Sequence, residues 1–577
     1  MAGRRSGGSG SGVPTASRPL TLVRWTAAAA SVHAVLLGLA LATGPAAPAP
    51  RSAAGHSPAA ALVEGLRTSG SVRPPSPAGH PVSAVYNREA VVPPQCYTRT
   101  DAYFNPCYVC HQDAIPGREN LMNDRDLQEA YSFSELGMTN HWANLFEDRS
   151  ERSARISDAE ILAYIAGDNY TELPGRLREA AFAGWIPDLA GLQEGGAAFD
   201  EHGFARDGSH WVAFNYKPFP STFWPTNGST DDVALRLPAE FRSTADGAYS
   251  RDVYCANLAI LEARIKGVGE IGCLPVEETV VGRDLDADGQ LGLARVIRRV
   301  DAWVGAARHR FIDSHLYPAG TEFLHTVRYL GISTEGEIGP SRRMKEVRYM
   351  KKWKDIAKPV YARKYQLEAY DKEAGYLPGY LSVGDWGLDN GTGWSIQGFI
   401  EDGAGRLRIS TYEENLACMG CHNSVGSTID KTFSLARKVD GAEGWGYLNL
   451  RGMPDAPSRG ETAGEIATYL ERVGGGSEFR NNDEMARRWF HPDGTLNRAK
   501  VAAAPDVHAL ISPSPERALA LNKAYRVIVQ DQDFVNGRDA LLDPPANVYP
   551  HVDNATSPRL PPERVFRYDI LLDWQRR

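Results

Sequence analysis

Asn105-Pro106-Cys107-Tyr108-Val109-Cys110-His111 and Leu416-Ala417-Cys418-Met419-Gly420-Cys421-His422 are the two stretches from which the rest of the chain is read. Each holds two cysteines three residues apart and a histidine directly after the second, C-x-x-C-H, the pattern through which a c-type haem is attached to protein. The spacing has a mechanical reason. On one helical turn residues i and i+3 share a face, so both thiols reach the vinyl groups of one porphyrin while the next residue turns its imidazole toward the iron. Seven cysteines and 14 histidines in 577 residues give such a match by chance about 0.002 times, and here there are two. A redox dithiol and half of a zinc site are the competing chemistries of C-x-x-C, and the repeated histidine favours haem. Cys107, Cys110 and His111 are therefore expected to hold one haem c and Cys418, Cys421 and His422 a second, with His111 and His422 as proximal iron ligands.

The residues after each motif form a weak internal repeat. Met138 stands 27 residues after His111 and precedes the helical spacing Ser157-Asp158-Ala159-Glu160-Ile161-Leu162-Ala163-Tyr164-Ile165; Met453, flanked by Gly452 and Pro454, stands 31 residues after His422 and precedes Gly464-Glu465-Ile466-Ala467-Thr468-Tyr469-Leu470. In this layout the chain resembles class I cytochromes c, in which an attachment helix, a loop presenting a distal methionine and a final helix clamp one haem. More distantly it is similar to the diheme cytochrome c peroxidases. The resemblance implies Met453 as distal ligand of the second haem, and Met138 or His141 as that of the first. A thioether ligand favours ferrous iron, so the choice sets the potential. His210, His309, His315 and His325 are further imidazoles that a neighbouring segment can supply.

The expected fold is mainly α with much irregular structure, in which two cytochrome c-like haem segments flank a larger insert with short β-strands. Residues 1–42 read as a signal peptide and 43–84 as a disordered Ala/Pro-rich linker. Haem domain 1 spans 85–180, the insert 181–375, haem domain 2 376–475, and a helical and irregular extension 476–577 with a helix from Pro515 to Val529. The apolar run from Trp25 to Ala42 is at the lower limit for crossing a bilayer, so export to the periplasm or beyond is expected, with a membrane anchor if the run is not cleaved.

The insert carries three features of its own. Asp284-Leu285-Asp286-Ala287-Asp288-Gly289 spells the first half of a calcium loop, with Asp284, Asp286 and Asp288 as ligands, but Arg295 stands where the closing glutamate belongs. Cys255 and Cys273 are placed to form a disulfide in an oxidising compartment, with Cys96 left over as a rival partner. From 342 to 364 ten Lys or Arg and two acidic residues give +8 in a chain of net charge -8. Met344, Val347, Met350 and Trp353 recur every three residues there, which predicts an amphipathic helix and either a basic docking patch for an acidic redox partner or a set of counterions for haem propionates.

The acidic balance gives no attraction to nucleic acid, and no P-loop, Rossmann fingerprint, nucleophile elbow or H-E-x-x-H stands out. The function expected is single-electron transfer by an exported diheme protein. The alternative is a diheme enzyme that activates peroxide or oxygen, which the long insert favours.

Overall fold

The computed structural model describes residues 92–575 apart from 116–117, 119–121, 221–222 and 375, so the signal and linker read from residues 1–84 lie outside the described residues. Ten strands are present among these: β1 Val212–Ala213, β2 Thr230–Arg236, β3 Ile271–Glu277, β4 Leu293–Ile297, β5 Glu322–Ile332, β6 Ile338–Lys352, β7 Leu381–Ser382, β8 Leu388–Asp389, β9 Trp394–Glu401 and β10 Leu407–Ile409. Eight form one antiparallel sheet in the order β1-β2-β5-β6-β9-β8-β7, with β10 on the end of β9, while β3 and β4 make a separate ribbon. The molecule is thus mixed α and β, not mainly α. Its sheet also crosses the boundary expected at 375, because β6 pairs directly with β9.

The basic segment decides this difference. It is no helix: residues 338–352 form β6, the longest strand, between β5 and β9. A period of two runs beneath the period of three. Val347 and Tyr349 pack into a cluster with Leu324, Phe399 and Trp185 on one face, and Trp185 stacks on Tyr349 with ring centroids 4.4 Å apart. Glu346, Arg348 and Met350 alternate onto the other face. The cations find partners inside the protein: Arg343 with Glu401 at 2.7 Å, Arg348 with Glu346 at 2.7 Å, Lys352 with Asp430 at 2.6 Å, and Lys345 Nζ donating to the Gly228 carbonyl at 2.7 Å. A continuous basic docking face is therefore not what this segment presents.

Helices close around the sheet. Arg251–Lys266 is buried along almost its whole length, starts where Ser250 Oγ accepts from the Val253 amide and stops at Gly267, whose φ of 63° suits glycine. Pro515–Asp531 forms as its sequence predicts, and its Asn522 side chain bonds both the amide and the carbonyl of Leu330 on β5. The helices Asp158–Ile165 and Glu465–Val473 also form where expected. The C-terminal extension folds back over the first motif region, with Tyr549 N donating to Tyr97 O and Gln128 Nε2 to Phe566 O.

Candidate functional site

The two motifs build the same turn from different elements. Around the first, Pro106–Val109 is a single 3-10 turn whose start is fixed by Asn105 Oδ1 accepting from Tyr108 N; the Cys110 and His111 amides both bond the Cys107 carbonyl, at 3.2 and 3.0 Å. Around the second, the helix Tyr412–Met419 begins at a capping box of Thr411 and Glu414, and the Cys421 and His422 amides bond the Cys418 carbonyl at 3.2 and 2.9 Å. In both cases the cysteine pair and the histidine are presented on one side of the turn.

Each imidazole is oriented through Nδ1. His111 Nδ1 lies 3.0 Å from Asp124 Oδ2, and His422 Nδ1 lies 2.7 Å from the Lys431 carbonyl. A carbonyl only accepts, so His422 carries its proton on Nδ1 and keeps the lone pair on Nε2 for a metal. The Lys431 carbonyl is presented by two residues in left-handed conformation, Asp430 at φ 47° and Lys431 at φ 68°. Asp430 is held by Lys352 Nζ at 2.6 Å, Tyr361 Oη at 2.7 Å and the Tyr317 amide at 2.9 Å. Burial lowers the His422 pKa to about 4, with His325 and Arg348 adding to it, so the imidazole is neutral.

Asp124 ties the two turns together. Beside His111 it accepts from the Gln112 amide at 2.8 Å and from the Gly426 amide, four residues past His422, at 3.1 Å. The Ser427 amide donates to the Cys110 carbonyl at 3.0 Å. Gly426 permits this approach because a Cβ there would sit 2.4 Å from Asp124 Oδ1.

Both motifs open on one cavity of about 370 Å³, lined by all four cysteines and both histidines. One wall is the second face of the sheet: Asp231 and Val233 from β2, Phe323, His325 and Val327 from β5, and Glu346, Arg348 and Met350 from β6. Phe219, Phe223 and Phe433 add apolar surface. At the Cys418 end, Arg538 and Arg348 flank Glu346 at 2.9 and 2.7 Å. Arg538 Nε and Tyr525 Oη are buried on this wall without a hydrogen bond, two polar atoms that a bound group with acidic arms can satisfy. An apolar cleft with a few cations fits a porphyrin and its propionates.

The four motif thiols are all buried. Burial pushes the Cys107 pKa up to about 12 and Cys421 to about 11, and raises Cys110 and Cys418 as well, so none is an activated thiolate. Among the described residues the one group of three or more His, Cys, Asp or Glu close enough to share an ion is Glu278, Asp284 and Asp286.

The distal ligands drawn from the motif flanks are elsewhere. Met453 is buried in a cluster with Tyr108 and Val109 of the first motif, Trp224, Tyr469 and Val507, away from the second motif it was expected to serve, and neither Met138 nor His141 lines the cavity; His141 lies against Trp142 with ring centroids 4.3 Å apart. Of His210, His309, His315 and His325, the last alone is on the cavity wall. Cys255 and Cys273 share one core cluster as separate buried thiols, their pKa values pushed up to about 12 by burial. In the acidic loop, Glu278 takes the place expected for Asp288: its carboxylate and those of Asp284 and Asp286 bring oxygens within 4.8 Å of one another. Asp288 instead accepts from the Gln290 amide. Asp124, Gly426 and Arg538 belong to no motif, and a reading of the letters misses them; Arg348 lies in the basic segment that the sequence offers as counterions for haem propionates.

A family model described as "-like lipoprotein" matches residues 80–505. An uncharacterized lipoprotein of Aquifex aeolicus is 32% identical over 515 residues, covering 79% of this chain and 86% of the relative. The chain belongs to this lipoprotein-like family. No solved structure matches it. Membership overturns the likeness to class I cytochromes c and to diheme peroxidases: the family is classed neither with the cytochromes c nor as oxidoreductases. The structure gives the physical reason. The C-x-x-C-H turns of this family member face a β-sheet wall, and Met453 packs in the cluster of the first motif's Tyr108 and Val109, apart from Cys418 and off the cavity.

Proposed function

We propose that this lipoprotein-like protein is exported, binds two haems covalently and passes single electrons through them. One observation carries the reading: two C-x-x-C-H turns of the same hydrogen bonding, each with its histidine fixed at Nδ1, open on a shared cavity. Haem, when bound, supplies the one-electron couple. The chain's residues do the rest. Cys107 and Cys110, and Cys418 and Cys421, anchor; His111 and His422 offer Nε2; Arg348 and Arg538 meet acidic arms; and the sheet wall excludes water.

A second reading, activation of peroxide or oxygen, is favoured by His325 and Glu478, which both line the cavity, and a high-spin signal that responds to cyanide distinguishes it. For an acidic redox partner, Lys354 and Arg363 are exposed cations of the basic segment, as is Arg342, which pairs with Glu194. Calcium at Glu278, Asp284 and Asp286 belongs to the same proposal; Asp284 Oδ1, buried without a hydrogen bond, favours it, and a calcium titration of thermal stability tests it.

Membrane attachment is part of the proposal, since the family is named for lipoproteins. Among the described residues no helix is long and apolar enough to cross a membrane. The first cysteine in the sequence is Cys96, so residues 1–95 offer no thiol for an acyl chain and the run from Trp25 to Ala42 is the segment we assign to attachment.

The test is expression in a host competent for haem attachment, followed by the pyridine absorption spectrum in alkali. Two haems per chain are expected, falling to one in Cys107→Ala/Cys110→Ala and in Cys418→Ala/Cys421→Ala. A colourless product overturns the proposal.

A further inference from the structure

The two histidines are backed by different oxygens. His111 Nδ1 meets a carboxylate, Asp124 Oδ2, at 3.0 Å, whereas His422 Nδ1 meets a peptide carbonyl, Lys431 O, at 2.7 Å. A carboxylate partner draws the Nδ1 proton further and makes the imidazole a stronger donor to iron, which favours the oxidised metal; a neutral carbonyl does so less. The charges around the two sites differ in the same sense. The Cys110 end of the cavity feels the Asp124 carboxylate, while Cys418 lies beside the guanidinium groups of Arg348 and Arg538, with Glu346 between them. Positive charge favours the reduced metal.

We infer that Asp124 makes the two sites unequal, giving the group on His111 the lower midpoint potential, and that the same carboxylate couples them. This rests on the haem reading above. The coupling is mechanical. Asp124 Oδ2 accepts at once from His111 and from the Gly426 amide in the loop after His422, and Gly426 has no side chain to keep the carboxylate away. Asp124 is a positioning residue: it acts on the metal through His111 and on the second site through a peptide. An electron shared by the pair rests on the His422 side, with one site reduced as the other is oxidised and no proton required. No motif marks this residue, which lies 13 positions beyond His111.

A potentiometric titration of the full-length holoprotein, followed by absorption, tests the inference once two haems per chain have been counted in each variant. The wild type is expected to show two one-electron waves, the lower of which disappears in Cys107→Ala/Cys110→Ala. Asp124→Asn keeps the hydrogen-bonding shape without the charge and is expected to raise the lower wave, leave the upper in place and narrow the gap. Gly426→Ala, which forces the carboxylate aside from the second motif's own loop, is expected to shift the lower wave too. If Asp124→Asn does not accumulate, Gly426→Ala and Asp124→Glu carry the test. Two haems with coincident waves, or an upper wave that moves alone, overturn the inference and leave the haem reading standing. A protein with no haem overturns both.

Discussion

Around Cys107 the motif sits on a four-residue turn, Pro106–Val109, held by an asparagine cap, by Asp124 and by a C-terminal segment more than 400 residues away in sequence. Around Cys418 the same five-residue pattern ends an eight-residue α-helix with a capping box, and its histidine is fixed by a strained backbone turn that Asp430 and Lys352 hold in place. The comparison teaches that the local turn belongs to the chemistry and its support belongs to the fold. Identical requirements on two sulfurs and an imidazole are met once by side-chain hydrogen bonds over a long loop, once by a regular helix packed on β9. The flanks repeat in their helices, but Met453, Met138 and His141 all lie off the cavity wall.

The largest expected effect separates the two attachments. Cys107→Ala/Cys110→Ala removes the first haem alone and Cys418→Ala/Cys421→Ala the second alone, read as a complete loss of one group; loss of both groups in either variant would show that the turns assemble as one unit. Next comes Asp124→Ala. It strands the buried Gly426 and Gln112 amides, and at about 1–3 kcal/mol for a buried polar group left without its partner the cost in denaturant unfolding falls at the upper part of that range or above it. Unfolding unchanged within error would mean that the two motif loops are not braced through this carboxylate.

The pH dependence sharpens the comparison from the middle of the cavity, because Glu478 influences both Cys110 and Cys421. Burial pushes its pKa up to about 8, with the Tyr469 hydroxyl beside it, from an ordinary 4.5. Between these values the folded protein holds a proton that the unfolded chain has released, so stability is full below about 4.5, declines as pH rises and levels off above about 8. Glu478→Gln is expected to flatten that slope, as measured by urea midpoints across the range; an unchanged slope would place the titration elsewhere. The smallest effect is at the helix of the second motif. Thr411→Ala removes one half of the capping box and costs about 1 kcal/mol, with haem content untouched.

Legibility followed the range of the interaction. The two attachment motifs, the helix Pro515–Asp531 and the helices after each motif could be read directly, since each depends on residues within a turn or two. The sheet could not. In residues 342–364 a stripe every three residues and an alternation every two coexist, and β6 obeys the alternation because β5 and β9 flank it and its charges find Glu401, Glu346 and Asp430. The acidic loop was half legible: Asp284 and Asp286 are together, but the third carboxylate, Glu278, precedes the loop and carries no signature. Asp124 and Arg538 reach the cavity region only through tertiary packing, which no local spacing encodes, while Arg348 comes from the basic segment.

The mass of the mature chain, taken under denaturing conditions that strip any group not held by a covalent bond, tests the central claim most directly. The account predicts an excess of two haems over the polypeptide, one retained in each paired cysteine variant. A chain at its bare polypeptide mass, with all four motif thiols open to alkylation, would contradict it.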